Sequence, residues 1–152
     1  MTSGSTPTSD IPEAQGSEFQ NFGLQIFAGI QPTFAELASI APVSLAYVGD
    51  AVFELYVRSR FLLPAKRVRD YHQQVVAQVN TEQQAQHVDV LLPHLTESEQ
   101  DILRRGRNAT SGRNRRADAK DYQKATGFEA LIGFLYLSNQ PRLFELLQHL
   151  DI

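Results

Sequence analysis

Residues 43–62, VSLAYVGDAVFELYVRSRFL, carry apolar side chains on nearly every side of a helix, with Asp50 set in the middle. A helix that is apolar all round is buried, so this segment restricts the chain to folds with a central helix. The spacing of apolar residues is helical almost throughout residues 33–152, and no segment shows period-two alternation with turn chemistry on both sides. The expected architecture is all-α.

Proline and capping residues divide that architecture. A short helix starts near Pro32 or Thr33 and ends before Pro42, and the apolar helix from Val43 to Leu62 is stopped by Pro64. A third helix is expected from Lys66 to Leu92, with a kink near Asn80 and Thr81, closed by Pro93. Thr96 and Glu99 form a capping box that opens a fourth helix running through Arg107. Asp118 to Asn139 makes a fifth, and Pro141 starts a sixth that reaches the carboxyl terminus. Ahead of all this, residues 1–18, MTSGSTPTSDIPEAQGSE, bury too little apolar surface to offset the entropy of ordering and read as a disordered tail. The next stretch, FQNFGLQIFAGIQP, is too apolar for a free tail but is broken by Gly23, Gly29 and Pro32. The division is therefore a loosely packed extension over 1–32 and a functional domain over 33–152. No run approaches a membrane span of about 20 apolar residues, the first residues have neither a basic start nor an apolar core, and cytoplasm is the default location. With no cysteine, a thiolate metal site and a cysteine nucleophile are excluded.

Asp50 is the anomaly of its helix, because an ionised carboxylate in an apolar setting must be protonated, paired or bound to a cation. Glu129 poses the same question within TGFEALIGFLYL. Either acid taken alone is accounted for by the edge of a helix, facing solvent or an arginine. Taken together they point further, since Ala46, Gly49 and Ala51 surround Asp50 while Ala125, Gly127, Ala130 and Gly133 surround Glu129. Two helices with such small residues can approach closely and bring both acids into one cleft. Carboxylate oxygens on rigid helices suit a hard cation such as Mg²⁺, and such a site favours phosphoryl chemistry.

A formal charge of −3 argues at first against a nucleic-acid partner, but distribution reverses that reading. Eight of the fourteen cations fall between residues 104 and 124, leaving that stretch at +6 after Asp118 and Asp121. Arg58, Arg60, Lys66, Arg67 and Arg69 make a second cluster, and Asp10, Glu13 and Glu18 in the tail account for the whole deficit. The segment RRGRNATSGRNRRADAK offers Arg104, Arg105, Arg107, Asn108, Arg113, Arg115, Arg116 and Lys120 to phosphate oxygens, with Gly106 and Gly112 read as sources of flexibility. A solvated surface loop is the plainer account of the same charges. No aromatic residue lies between Arg104 and Lys120, so a duplex backbone is favoured over stacking on single strands. The four histidines lack metal-ligand spacing and read as surface or packing residues. Tyr47, Phe53, Tyr56, Phe128, Phe134 and Tyr136 read as core. Serine-nucleophile and nucleotide-cofactor motifs are missing.

YVGDAVFELYVRSRFL resembles the signature helix of the ribonuclease III catalytic domain, and ATGFEALIGFLYL resembles its second acidic helix. With RRGRNA between the two motifs, the likeness is closer to the Mini-ribonuclease III branch, which has the endonuclease domain alone, and it covers about residues 33–150. The resemblance implies an all-helical homodimer whose signature helices meet on a two-fold axis and form a valley for double-stranded RNA. It makes Asp50 and Glu129 the catalytic metal ligands, with Mg²⁺ as cofactor, Mn²⁺ able to substitute, and products bearing a 5′-phosphate and a 3′-hydroxyl. It also implies maturation of large-subunit (23S) ribosomal RNA, with no membrane and no DNA as partner. The chain departs from full-length ribonucleases III at Ala46 and Thr126, where those enzymes carry acids, and lacks their separate RNA-binding domain. Two competing readings remain at this point: a non-catalytic RNA-binding or ribosome-assembly module with the same fold, and a helical DNA-binding regulator.

Overall fold

A computed structural model describes residues 32–110 and 118–152 of the chain; residues 1–31 of the extension, together with Gly112, Arg113, Arg115 and Arg116, lie outside the described residues. Within the compact unit Pro32–Ile152, the described elements are helical: α1 (Phe34–Ser39), α2 (Pro42–Phe61), α3 (Val68–Val79), α4 (Thr81–Leu91), a 3₁₀ turn (Leu92–His94), α5 (Glu97–Asn108), α6 (Asp118–Ser138) and α7 (Gln140–Leu147). The all-α expectation therefore holds.

Local chemistry sets the helix boundaries. Thr96 and Glu99 form the expected capping box at α5: the Thr96 amide donates to Glu99 Oε2 at 2.8 Å, and the Glu99 amide donates to Thr96 Oγ1 at 3.3 Å. An identical Thr-x-x-Glu arrangement, Thr33 with Glu36, starts α1. The long third helix expected from Lys66 to Leu92 is instead two helices, a stronger break than a kink. Asn80 is extended (φ −69°, ψ 157°) and serves both sides of the break. Its Oδ1 accepts from the Gln83 amide at 2.9 Å, and its Nδ2 donates to the carbonyls of Val76 and Ala77 at 3.0 and 3.1 Å.

The central helix is α6 rather than α2. Phe128, Ala130, Leu131 and Ile132 are fully buried on α6, against which α2, α4, α5 and α7 all pack. By contrast α2 buries one side through Leu45, Ala46, Phe53 and Val57 and leaves Val43, Tyr47 and Leu55 in solvent, Tyr47 at 85% exposure. Of the aromatic residues assigned to the core, Phe53 and Phe128 are wholly buried, Tyr56, Phe134 and Tyr136 pack against the core's edge, and Tyr47 is outside it. Amphipathicity is hard to see in α2 because its outward face mixes Val43, Tyr47 and Leu55 with Asp50, Arg58 and Arg60.

Two helix contacts are close enough to require glycine. A Cβ on Gly49 would lie 1.8 Å from the Glu129 carbonyl oxygen, and one on Gly133 would lie 2.0 Å from that of Leu45, so α2 and α6 meet backbone to backbone. On another side of α6, a Cβ on Gly106 would come within 2.7 Å of Ala130 Cβ, and one on Gly127 within 2.7 Å of the Leu103 carbonyl oxygen. Gly106 is thus buried packing in α5 and not the flexible point that RRGRNA suggested.

Candidate active site

The backbone contact between α2 and α6 determines where the two acids go. Asp50 follows Gly49, the residue pressed on Glu129's carbonyl, so the register that joins the helices also joins the two carboxylates. They stand near enough for the negative charge of Asp50 to raise the Glu129 carboxyl, which burial raises still more, to about 7. Asp50 itself is raised, first by partial desolvation and then by Glu54 one turn along α2. Contrary to the expectation of a buried aspartate, Asp50 is exposed at the surface of α2, while Glu129 is half-buried. The pair therefore has one acid reaching toward solvent and one set behind it.

Two residues that sequence reasoning did not single out stand beside the pair. Glu54 adds negative charge, although its own carboxylate is paired with Arg58 at 2.5 Å. Gln84 of α4, only 2% exposed, donates Nε2 to the Val79 carbonyl at 3.1 Å, and its amide lies close enough to the Glu129 carboxylate to work against the rise in its pKa. A spacing of four residues on one helix could have found Glu54. Gln84, within the polar run NTEQQAQH, had no such signal.

Ala46 and Thr126, which stand where full-length ribonucleases III carry acids, are both buried. Ala46 packs with Leu45 and Ala130 in a small apolar cluster, and Thr126 Oγ1 donates to the Tyr122 carbonyl at 2.9 Å. Among the described residues no group of three or more His, Asp or Glu side chains could hold a metal. A cation here would have two protein carboxylates and take its remaining ligands from water and substrate. Two adjacent carboxylates, Asp50 raising the Glu129 carboxyl by its charge, fit a hard divalent cation, because among the described residues no cationic side chain compensates them. The histidines are not part of this arrangement. His72, His94 and His149 are exposed, and His87 is buried edge-on to Phe53, with ring centres 5.7 Å apart.

The basic residues described belong to helices rather than to one loop. Arg104, Arg105, Arg107 and Asn108 form the last turns of α5, exposed around the buried Gly106, and Lys120 is exposed on the first turn of α6. Arg104 is ion-paired with Asp101, and Lys124 reaches Asp89 at 2.8 Å. A Cβ on Gly127 would lie 3.4 Å from the Arg107 nitrogen, which brings the end of α5 to α6 two residues before Glu129. The described part of the basic segment is thus anchored on α6, on another side from the α2 contact that carries the acidic pair. In the second cluster, Arg60 donates to the Ile152 carbonyl at 3.0 Å and Lys66 to that of Phe61.

Comparison with known proteins gives this geometry a family. The Ribonuclease III domain model matches residues 43–140, a span that holds both acids and Arg104–Asn108. Mini-ribonuclease 3 of Synechocystis sp. is 54% identical over 114 residues, which are 75% of this chain and 80% of that one. Mini-ribonuclease 3 of Symbiobacterium thermophilum is 47% identical over 113 residues, covering 72% and 87%. A crystal structure of a protein from Fusobacterium nucleatum superposes with a TM-score of 0.66 at 26% identity, covering 72% of this chain and 92% of the other. The chain belongs to the ribonuclease III family, in its catalytic-domain-only Mini-ribonuclease III branch, and is an endoribonuclease.

Proposed function

We propose that this endoribonuclease hydrolyses double-stranded RNA with a divalent cation held by Asp50 and Glu129. The observation that carries the reading is the backbone contact at Gly49 and Glu129, which brings two carboxylates together with no cationic side chain among the described residues to balance them. When bound, Mg²⁺, or Mn²⁺ in its place, supplies an activated water and neutralises charge on the phosphoryl group. Asp50, in solvent, is the carboxylate an incoming backbone meets first. Glu129, braced behind it on the central helix, is held rigidly by the packing of Phe128 and Ala130. Addition of water across the bond from phosphorus to the 3′-oxygen leaves a 5′-phosphate and a 3′-hydroxyl.

Residues 33–152 act as the catalytic domain and 1–32 as an extension. Arg104, Arg105, Arg107, Asn108 and Lys120, with Arg113, Arg115 and Arg116 of the neighbouring segment, contact phosphates on either side of the scissile one. A-form RNA hides its base edges in a deep, narrow groove, so recognition rests on shape, phosphates and 2′-hydroxyls. The exposed Val43, Tyr47 and Leu55 on α2 support a homodimer, since apolar side chains so grouped favour a covered face. The substrate we infer is a structured precursor of large-subunit (23S) ribosomal RNA in the cytoplasm. Among the described residues no helix is long and apolar enough to cross a membrane.

Incubating the protein with duplex RNA, duplex DNA and single-stranded RNA, with Mg²⁺ or with chelator, tests the reading. Only duplex RNA with Mg²⁺ should be cut. Cleavage that survives the chelator would contradict the metal site, and equal cleavage of single strands would contradict the duplex substrate.

A further inference from the structure

We propose that Gln84 is a positioning residue for Glu129: its buried amide, anchored on α4, fixes the direction in which the Glu129 carboxylate faces Asp50. The inference rests on the reading of Asp50 and Glu129 as a cation-holding pair.

Burying an amide costs free energy unless its donors and acceptor find partners, and Gln84 is one of the few polar side chains in the described core. Ala85 and Val88 on the same helix show what fills this layer when only packing is required. The amide carries two N–H donors. One bond from Nε2 goes to the Val79 carbonyl at 3.1 Å, at the break between α3 and α4, which ties the side chain to a capped and well-defined backbone turn. The same helix packs on α6, where His87 three residues on lies against Phe128, the neighbour of Glu129, and the amide is near enough to lower the Glu129 pKa.

The rest of α4 is built to hold this position. His87, one turn after Gln84, packs its ring edge-on to Phe53 at 5.7 Å and against Phe128 at 5.9 Å. Phe53 stands three residues beyond Asp50 and Phe128 immediately before Glu129, so α4 is wedged against both helices that carry the acids. A carboxylate with only one neighbouring acid as co-ligand depends strongly on its outer partner for orientation. Such partners are commonly worth about 10- to 100-fold in metal affinity.

Calorimetric titration of Mn²⁺ into the wild type, Gln84→Met and Glu129→Gln, each checked for folding by circular dichroism, tests the proposal. Methionine keeps the volume and removes the amide. Gln84→Met should weaken Mn²⁺ binding by about 10-fold or more and lower kcat on duplex RNA while leaving KM for RNA unchanged. A purely structural role predicts a lower melting temperature with Mn²⁺ affinity within twofold of wild type, and that result would overturn the proposal. If Glu129→Gln itself binds Mn²⁺ as tightly as wild type, the site reading fails rather than the role of Gln84. Should Gln84→Met not fold, the Gln84 side-chain amide signals of ¹⁵N-labelled wild type should shift on Mg²⁺ addition with the same saturation as binding; their staying in place at saturation would refute the positioning role.

Discussion

Two carboxylates, Glu99 and Glu129, sit below the surface of the same domain under opposite conditions. Glu99 at the start of α5 accepts from Arg142 Nε at 2.8 Å and Nη2 at 3.0 Å and from the Thr96 amide, and these partners hold its carboxyl below the ordinary range. Arg142 also donates to the His94 carbonyl at 2.7 Å and to Glu145 at 2.8 Å, so a single guanidinium joins α5, α7 and the 3₁₀ turn. Among the described residues Glu129 has no such cation. Burial and Asp50 push it to about 7, and only Gln84 acts in the other direction. A carboxylate supplied with its counter-charge is part of the scaffold, whereas one kept beside a second acid is prepared for a charge from outside.

The largest effect on stability should come from breaking the balanced region. Arg142→Ala leaves Glu99 buried without its cation and should cost about 3–5 kcal/mol, read as a lower urea midpoint. The sign of its pH dependence follows from Glu99's lowered pKa. The pair's stabilisation is complete above the unfolded carboxyl value of 4.5 and is lost as pH falls through the lower folded value. The gap between wild type and Arg142→Ala should therefore narrow in acid; a constant gap would show that lost packing dominates.

Gly49→Ala forces α2 away from α6 at the unbalanced region, since the new Cβ would meet a carbonyl oxygen at 1.8 Å. A loss of about 3 kcal/mol together with loss of cleavage is expected. Retained stability with retained cleavage would mean that the contact does not set the site's geometry.

Glu129→Gln should have the opposite sign to Arg142→Ala. The folded-state value of about 7 exceeds the unfolded 4.5, so Glu129 costs stability as pH rises through that window in chelator. The variant should be more stable than wild type by about 1–2 kcal/mol at pH 8, after allowance for solvent at this half-buried group, and no more stable near pH 4. A destabilised variant at pH 8 would place Glu129 with the scaffold.

The smallest effect on stability is expected from the exposed arginines of α5. Arg104→Ala with Arg107→Ala should change unfolding free energy by less than about 0.5 kcal/mol per site while weakening duplex RNA binding and flattening its salt dependence. A large loss of stability with an unchanged salt slope would make them structural.

The two regions also differed in how far their sequences could be read. Thr96-x-x-Glu99 declared the start of α5 because a capping box is local, but its continuation to Arg142 spans 43 residues and left no local mark. Gly49 and Gly133, set among other small residues, conveyed the close approach of α2 and α6 and hence the meeting of Asp50 with Glu129. What that pattern could not give was exposure. Tyr47 and Leu55 lie exposed although they are as apolar as the residues α2 buries, because burial depends on what packs there. Gly106 misled for a similar reason, since a glycine among arginines looks like a hinge until Ala130 and Gly127 are found against it. Gln84 was illegible because a polar residue in a polar stretch shows nothing of its burial, and the break at Asn80 was legible only as a kink because the double capping by one side chain belongs to the three-dimensional turn.

Single-turnover cleavage of a duplex RNA by Asp50→Asn at saturating Mg²⁺, with thermal melting on the same sample, most directly tests the claim that Asp50 and Glu129 form the active centre. The account predicts a rate at least about 10³-fold below wild type, roughly 4 kcal/mol in the barrier, with a melting temperature equal to or above wild type. Cleavage within a few-fold of wild type would contradict it.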